Sequence, residues 1–393
     1  MKKMNLIHYL AALALLVAAI FGTRLILGNL NPLDVIEMAQ NVQVQEQPVE
    51  IPTEEPSEVP AELPTEPATE PPTEPPTEPP TEPQPEHFVL TFVGDCTLGS
   101  NAKSANYNSS FPKTVGTDYS YPFVNVIEYF ESDDFAFANL EGTLGELGQK
   151  ASKTYTFRGM AEYTQILTEN GVDAVTMANN HTMDYGKEGY AETKRILDEA
   201  SIPYAEHMSS VYVNTQRGLT IGLYAVDFTR VNVDKDKVLA DIREIKEAGM
   251  ADLIVCAFHW GKENNFRPTE TQRTVGQAAI DAGASIVWGH HPHVLQPIEE
   301  YNGGIIYYSL GNFVFGGNNS PKDRDTALVQ QEVIRDLDGT VRLGKLTIIP
   351  CSVSSVDGRN NFQPTPYQVN SADYKEVMSK LNGTYKGNNL PIG

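Results

Sequence analysis

Short apolar runs alternate with amphipathic stretches from residue 88 onward. The apolar runs predict buried strands, and they lie at 88–93, 135–138, 174–178, 219–226, 253–258, 284–288 and 305–310. Apolar positions with helical spacing predict helices, and they lie at 124–130, 161–170, 187–200, 236–248 and 271–282. Two further runs, 328–334 and 341–349, predict a hairpin that turns at Asp338-Gly339. The alternation predicts an α/β domain with a more antiparallel part near its end.

The start of the chain carries a different pattern. Residues 6–27 are almost continuously apolar, which matches the roughly 20 residues that a helix needs to cross a bilayer. We predict a cytoplasmic tip at 1–4 and a transmembrane signal-anchor at 5–28, because lysines precede the span and acids follow it. This single-pass anchor would hold an extracellular domain at the cell membrane. A cleaved signal peptide is the alternative, since its apolar centre could be as short as 10–21.

Residues 29–86 are predicted to be a disordered linker rich in Pro, Thr and Glu. Residues 42–86 contain twelve Glu and no Lys or Arg, and Pro recurs every few positions. Such a segment cannot bury apolar surface, and its prolines and like charges extend it. From 48 to 85 it would reach roughly 120 Å at most. We interpret it as a spacer that holds the folded domain away from the lipid surface.

The negative net charge of the chain limits the classes of partner that it can bind. The chain has a net charge of −22, of which residues 1–86 contribute −11, three basic against fourteen acidic residues. The rest of the chain therefore also carries −11. Nucleic acid is excluded as a partner, because its binding depends on lysine and arginine that neutralise phosphates. The three cysteines are an odd number and do not predict a disulfide framework.

Polar side chains follow the predicted strands, and they are of the kinds that bind metal ions. They are Asp95, Glu141, Asn180 with His181, His259, residues 290–293 and Asn312. Strands of one sheet bring their ends together, so these groups can converge. Mixed oxygen and nitrogen ligands suit Mn, Fe or Zn better than Ca or Mg. A carboxylate between two such ions, with imidazoles on either side, would form a two-metal hydrolytic site.

The densest part of this set is residues 288–293, which read Trp-Gly-His-His-Pro-His. A surface histidine cluster with incidental metal affinity is the alternative. Taken singly, Asp95 or Asn180 could cap a helix, His259 could be a satisfied core histidine, and Glu141 could be a solvated loop acid. Their shared position at strand ends favours one common site.

Ordered motifs between about residues 88 and 350 resemble the CapA (poly-γ-glutamate capsule synthesis) family. The motifs are Gly94-Asp95, Asn139-Leu140-Glu141, Tyr155-Thr156-Phe157-Arg158-Gly159, Asn179-Asn180-His181 with Asp184, His259-Trp260-Gly261 with Glu263, Gly289-His290-His291-Pro292-His293 and Ser309-Leu310-Gly311-Asn312. This family is related to the calcineurin-like metallophosphoesterases. The resemblance therefore implies a four-layer αββα sandwich around a dinuclear metal site, in a domain at 87–355 followed by a C-terminal extension at 356–393.

The resemblance also implies roles for individual residues. The implied ligands of two divalent ions (Mn, Zn or Fe) are Asp95, Glu141, Asn180, His259, His291 and His293, with Glu141 bridging. The implied catalytic residues are His181, which would protonate a leaving oxygen, Asp184, which would orient it, and Arg158, which would clamp an oxyanion or the substrate.

The sequence departs from the wider superfamily at the first motif. Where Asp-x-His is usual, this chain has Asp95-Cys96-Thr97, and the bridging position holds Glu141 in place of Asp. One metal ion therefore has fewer ligands. Cys96 could replace the missing histidine, but neighbouring residues of a strand point to opposite faces.

Two functional hypotheses follow from the family name, which implies making, exporting or anchoring poly-γ-glutamate at the cell surface. The first is an extracytoplasmic metal hydrolase that acts on a phosphoester or on an amide of an anionic surface polymer. The second is a non-catalytic partner of the membrane subunits of a polyglutamate synthase. A surface protein with no role in the capsule is a third possibility. Because the domain is itself anionic, any polymer must bind through local groups or metal ions.

Overall fold

The structure is a computed structural model that describes residues 83–102, 108 and 110–389. Two β-sheets pack face to face at its centre. The larger sheet contains, in spatial order, β17 (Thr365–Pro366), β16 (Val341–Ser352), β15 (Asp325–Arg335), β1 (Glu86–Thr97), β3 (Phe135–Leu140), β6 (Ala174–Thr176) and β7 (Tyr204–Ala205), with β14 (Asn312–Phe315) beside β1. The second sheet contains β12 (Leu295–Tyr301), β13 (Gly304–Leu310), β11 (Ile286–His290), β10 (Leu253–His259), β9 (Thr220–Asp227) and β8 (Ser209–Asn214). A small sheet contains β2 (Ser100–Asn101), β5 (Phe157–Gly159) and β4 (Thr143–Leu144).

Both large sheets have a parallel centre. In the larger sheet β1, β3, β6 and β7 run parallel, and in the second sheet β9, β10, β11 and β13 do so. Antiparallel strands lie at the sides: β15 and β16 beside β1, β8 beside β9, and β12 beside β13. Parallel strands end at the same edge of a sheet, so each sheet presents its carboxyl ends together.

The space between the two sheets is filled by aromatic side chains. Phe92 of β1 stacks on Phe137 of β3 with ring centroids 5.1 Å apart. From the second sheet, the rings of Trp288 and Tyr307 lie 5.6 Å and 5.8 Å from Phe92. All four side chains are fully buried. This contact between the sheets is a large apolar core.

Helices cover the outer face of each sheet. The helices are α1 (Phe111–Val115), α2 (Ile127–Glu131), α3 (Thr164–Thr168), α4 (Gly186–Glu199), α5 (Lys235–Ala248), α6 (Glu270–Asp281) and α7 (Ala372–Leu381). The first four pack on the larger sheet, and α5 and α6 pack on the second. Phe92 faces the inner core while its neighbour Val93 faces the helices, which is the alternation of a strand buried on both faces. The layers are therefore helix, sheet, sheet and helix.

Local signals explain where the helices begin and end. Asp234 caps α5 by accepting from two backbone N–H groups, and Gly249 ends it at φ 60°. Thr269 and Gln272 form a reciprocal capping box at the start of α6. These caps satisfy backbone groups that a helix end leaves without partners. Both helices begin and end within one residue of their predicted positions.

The predicted mixed α/β fold is confirmed, as is the hairpin of β15 and β16. The region predicted as one helix at 161–170 is shorter, a 3₁₀ turn at Ala161–Tyr163 followed by α3. Helix α7 was not predicted from the sequence. Among the described residues, no helix has the length and apolar character needed to cross a membrane. The predicted anchor at 5–28, and the predicted linker as far as residue 82, lie outside them.

Candidate metal centre

The six residues predicted as metal ligands lie in one continuous cluster at the carboxyl ends of the strands. Asp95 lies on β1, Glu141 follows β3, Asn180 follows β6, His259 ends β10, and His291 and His293 follow β11. Ligand atoms of Asp95, Glu141 and His293 all lie within 4.8 Å of one another. Asn180 Oδ1 is 3.0 Å from His259 Nε2, and the rings of His259 and His291 are 4.8 Å apart. The predicted convergence is what the structure shows.

Two glycines allow this close approach. A Cβ atom on Gly94 would lie 2.2 Å from the carbonyl oxygen of Gly311, and one on Gly289 would lie 2.2 Å from that of Tyr308. No side chain fits at such distances from a fixed backbone. The backbone N–H of Asp95 donates to the same Gly311 oxygen at 2.9 Å. Glycine at residue 94 thus lets β1 approach the segment after β13 and places Asp95 in the cluster.

Asp95 is fully buried and is the centre of a hydrogen-bond network. Its Oδ1 lies 2.8 Å from His290 Nδ1 and accepts from Asn139 Nδ2 at 2.9 Å. Its Oδ2 lies 3.2 Å from His293 Nδ1 and accepts the backbone N–H of His291 at 3.3 Å. Burial alone would raise the pKa of Asp95, but its hydrogen bonds to His290 and His293 hold it well below its usual range. Asp95 is therefore a fixed negative charge.

Glu141 is also fully buried, and neither of its side-chain oxygens has a hydrogen-bond partner. The Nε2 atoms of His181 and His293 each lie 3.8 Å from Glu141 Oε1, too far for a hydrogen bond. Burial raises the pKa of Glu141 to about 8, and the charge of His293 opposes that rise. Two unpartnered carboxylate oxygens in a buried position are suited to a cation.

The turn after β11 aims three imidazoles into the same region. His291 and His293 have positive φ values of 93° and 56°, which are uncommon for residues other than glycine. His291 Nδ1 and His290 Nε2 are buried without partners, as is Nδ1 of the neighbouring His259. Burial lowers the pKa of His291 to about 3 and that of His259 well below its usual value. Neutral imidazoles with free lone pairs are the form that binds metal ions.

These donors fit a divalent cation. Five buried atoms without partners come from Glu141 and three histidines, and Asp95 supplies a permanent negative charge. The mixture of carboxylate oxygen and imidazole nitrogen suits Mn, Fe or Zn.

His181 and Asp184 form a pair beside the cluster. His181 Nδ1 lies 2.7 Å from Asp184 Oδ2, which also accepts the backbone N–H of Phe157 at 2.6 Å. Lys153 Nζ lies 2.6 Å from Asp184 Oδ1. Since a carboxylate oxygen accepts, Nδ1 of His181 carries the hydrogen and Nε2 points toward Glu141. The pair has the geometry that the predicted roles of His181 and Asp184 require.

Arg158 is engaged with the backbone. Its guanidinium donates to the carbonyl oxygens of Glu146 at 2.8 Å and Leu147 at 2.5 Å. The same group lies 3.3 Å from the centre of the Tyr185 ring. These contacts fix the loop at 146–148 and leave few donors for a substrate. The geometry favours a role in holding that loop over the predicted role as a clamp.

Cys96 points away from the metal cluster. Its side chain is buried in the core between the larger sheet and its helices. Its Sγ is 3.6 Å from the carbonyl oxygen of Gly94, and burial raises its pKa to about 12. A neutral thiol on the opposite face of β1 cannot replace the histidine missing from the first motif.

A cleft of about 490 Å³ opens beside His181 and His293. Three aromatic rings and five asparagines contribute to its lining: Tyr155, Phe157, Phe315, Asn101, Asn264, Asn312, Asn318, Asn319. Lys322 is the only lysine or arginine among the described residues that line it.

The C-terminal tail, defined here as residues 371–389, holds both rims of the cleft. Lys380 is buried, and its Nζ lies 3.0 Å from Asp323 and 2.7 Å from Asp325. Asp323 belongs to the cleft lining. On the other rim, Asn389 Oδ1 accepts the backbone N–H of Phe266 at 3.1 Å, three residues after Glu263.

The structure places in the cluster several residues whose individual roles were not predicted from the sequence. His290 and Asn139 both bond to Asp95, and Glu263 lies near His291 and His293. All three residues lie inside the motifs quoted above, and this position indicated that they belong to the site. The particular contacts depend on backbone turns that the residue pattern does not specify.

The profile of a family described as "Bacterial capsule synthesis protein PGA_cap" matches residues 89–317, which is more than half of the chain. The chain belongs to the PGA_cap family. The match includes every candidate ligand from Asp95 to His293 and ends before the C-terminal tail.

Relatives within the PGA_cap family cover most of the chain. "PGA biosynthesis protein CapA" of Bacillus subtilis (strain 168) is 30% identical over 313 residues, which is 74% of this chain and 77% of that protein. "Capsule biosynthesis protein CapA" of Bacillus anthracis is 32% identical over 293 residues, 68% of each chain. The CapA resemblance is therefore confirmed, and this family is involved in poly-γ-glutamate capsule synthesis.

A solved 5'-nucleotidase from Candida albicans SC5314 gives a TM-score of 0.39 at 13% identity. The alignment covers 75% of this PGA_cap chain and 56% of the nucleotidase. A TM-score at this level does not establish a common fold.

Proposed function

We propose that this chain is an extracytoplasmic metal-dependent hydrolase that acts in poly-γ-glutamate synthesis or export and is anchored to the cell membrane by its N-terminal segment. The observation that carries the proposal is the set of buried oxygen and nitrogen atoms without partners beside one cleft. A protein keeps such atoms when a ligand satisfies them, because each costs about 1–3 kcal/mol if left alone. The names of the two Bacillus relatives support the pathway.

Two divalent ions, Mn, Zn or Fe, are proposed at the centre. Asp95, Glu141 and His293 would hold one ion, and Asn180, His259 and His291 would supply ligands to the other, with Glu141 between them. Bound cations would offset negative charge that develops on a substrate oxygen during hydrolysis.

His181 is proposed to move the proton. Asp184 fixes the ring through Nδ1, so Nε2 is the atom that holds a proton and gives it to a leaving group. Burial lowers the pKa of His181, which makes its protonated form a stronger acid. Lys153 contacts the second oxygen of Asp184, so this carboxylate is held on both sides while its first oxygen orients the ring.

The lining of the cleft favours an amide of a surface polymer over a phosphoester as the substrate. Asparagine side chains donate to and accept from amide groups, and aromatic rings pack on extended chains. Phosphate sites usually present several arginine or lysine side chains, whereas the described lining residues include only Lys322.

The first test is metal binding. The full-length protein, stripped of metal and dialysed against Mn²⁺ or Zn²⁺, is expected to retain metal by elemental analysis. The double variant His291→Ala with His293→Ala should lose it. The double variant His87→Ala with His207→Ala is a matched control, because neither residue lines the cleft. Equal metal content in the wild type and the cluster variant would refute the proposal.

The second test is turnover. Wild-type protein with metal is incubated with polyglutamate and, separately, with a generic phosphodiester, and the products are measured. Activity on polyglutamate that requires metal and is lost in His181→Ala, while metal content stays unchanged, would support the hydrolase. Activity that persists in His181→Ala would remove this residue as the proton donor.

A non-catalytic role as a metal- or polymer-binding partner of a polyglutamate synthase is the second candidate. The observation that favours it is the first motif, where Cys96 faces away and leaves one ion without its usual histidine. Stoichiometric metal binding without turnover of either substrate, together with co-purification with synthase membrane subunits, would support this role.

A further inference from the structure

Glu263 places a carboxylate at the mouth of the metal cluster. It lies in the loop after β10 and lines the cleft together with His293. One carboxylate oxygen of Glu263 and one ring nitrogen each of His291 and His293 all lie within 4.8 Å of one another. This group is less buried than the group of Asp95, Glu141 and His293. The two groups share His293.

His293 can serve only one cation at a time. Its Nδ1 lies 2.8 Å from Asn312 Oδ1 and 3.2 Å from Asp95 Oδ2, and both of these oxygens accept. Asn312 Nδ2 donates to the carbonyl oxygen of His293, which fixes the orientation of that amide. Nδ1 must therefore carry a hydrogen, and Nε2 is the one ring nitrogen that can bind a cation, in exchange for its own proton. We call the cation held by Asp95 and Glu141 the inner cation and the other one the outer cation. If the inner cation binds Nε2 of His293, Glu263 and His291 remain as ligands for the outer cation.

The loop that carries Glu263 is held in place. The backbone N–H of Asn264 donates to the carbonyl oxygen of Pro292 at 2.8 Å, which joins the loop to the histidine turn. Gln296 Nε2 donates to the carbonyl oxygen of Asn265 at 2.6 Å. These two bonds fix the backbone at residues 264–265, directly after Glu263.

The negative charge of Glu263 would help to hold a second cation close to the first. Apart from Glu141, which both cations would share, the other ligands proposed for the outer cation are His259, Asn180 and His291, which carry no charge. A second divalent cation close to the first is repelled by it, and neutral ligands do little to offset that repulsion. Glu263 is the nearby group that supplies a negative charge on the outer side.

We propose that Glu263 is a ligand of the outer of two divalent cations, together with His291. The inference rests on the proposed metal centre. It assigns a role to a residue outside the six ligands derived from the resemblance.

The test counts metal ions and measures each affinity in the full-length protein. Metal-free wild type titrated with Mn²⁺ should bind two equivalents. Glu263→Gln, which keeps the shape and removes the charge, should bind one equivalent as before and the second about 10-fold or more weakly. Electron paramagnetic resonance should show a spin-coupled Mn²⁺ pair in the wild type and an isolated ion in the variant at the same Mn²⁺ concentration.

Two further variants serve as controls for the effect of Glu263→Gln. Glu300→Gln makes the same charge change at an exposed position of β12 and should bind two ions like the wild type. Glu263→Asp keeps the charge on a shorter side chain and should give an intermediate second affinity, which separates loss of a ligand from loss of folding.

The possible failures are distinguishable. If Glu263→Gln bound both the first and the second Mn²⁺ with the same affinities as the wild type, this inference would be overturned and the proposed function would stand. A wild type that binds a single ion would also overturn it. A wild type that binds no ion would refute the proposed metal centre itself.

Discussion

At the scale of single residues, the buried polar atoms without partners are concentrated in one place. Twelve such side-chain atoms occur among the described residues, and five of them belong to Glu141, His259, His290 and His291. These atoms destabilise the folded protein, because each one loses its hydration on folding and gains no hydrogen bond. This set of unpartnered atoms therefore supports the proposed metal centre.

Asp133 is a partly buried acid outside this centre, and it predicts a pH dependence of stability. One of its oxygens is buried without a partner. Burial raises its pKa to about 7, and the nearby Asp173 and Asp134 add to that rise. Because the folded protein holds this proton more tightly than the unfolded chain, the contribution of Asp133 to stability is lost as the pH rises from about 4 through 7.

Asp133→Asn should therefore be more stable than wild type at pH 8, by about 1–2 kcal/mol in the free energy of unfolding. The difference should close as the pH falls towards 4, where the wild-type carboxyl is also neutral. Urea unfolding at several pH values measures it, with Asp357→Asn at an exposed position as control. A difference independent of pH would contradict the assignment.

At the scale of elements, close backbone contacts decide where the ligands lie. The segment after β13 approaches β1 at Gly94 because no side chain stands between them. Gly94→Ala would force these backbones apart and should cost about 3 kcal/mol of stability. It should also weaken metal binding, since the adjacent Asp95 would move. Gly339→Ala meets no atom within 4 Å and, at φ 85°, should cost only about 1 kcal/mol. Equal destabilisation of the two variants would contradict this account.

Helix α7 depends on a buried ion pair network. Lys380 contacts Asp323, Asp325 and Glu376, so its removal leaves two mostly buried carboxylates without their counter-charge. Lys380→Met should lower the free energy of unfolding by about 3 kcal/mol. Lys375→Met, on the exposed side of the same helix, should change it little. Thermal and chemical unfolding of both variants would check the prediction, and similar effects in the two would contradict it.

Some of these elements could be predicted from the sequence and others could not. Strands β10 and β11 and helices α5 and α6 were predictable, because long apolar runs and capping residues act locally. Helix α7 was not, since it is held by Lys380 and by contacts distant in the chain. The convergence of the ligands followed from parallel strand ends. That His290, and not His291, bonds to the side chain of Asp95 through its ring could not be predicted, because positive φ values redirect the turn.

At the scale of the whole molecule, charge limits how a polyanion can bind. Residues 87–393 carry −11, so their overall field repels polyglutamate. Any attraction must come from bound cations and from hydrogen bonds in the cleft. Screening by salt therefore removes more repulsion than attraction.

We expect the affinity of the metal-loaded protein for polyglutamate to rise between about 0.05 M and 0.2 M NaCl, since repulsion over distances near the Debye length is screened in this range. Fluorescence anisotropy with a labelled polymer measures it, and a chelator should abolish binding. Polyglutamine of the same length serves as a neutral control, with little dependence on salt. A steep loss of affinity with salt would indicate a basic groove and contradict this expectation.

The C-terminal tail has a consequence for specificity. It bonds to the loop of Asp323 on one side and to the segment beyond Glu263 on the other, so its contacts tie together the two walls of the cleft. The tail lies beyond residues 89–317, which the family profile matches. We therefore expect that exchanging it between relatives changes which polymer chains the cleft admits, while the residues of the proposed metal centre stay where they are.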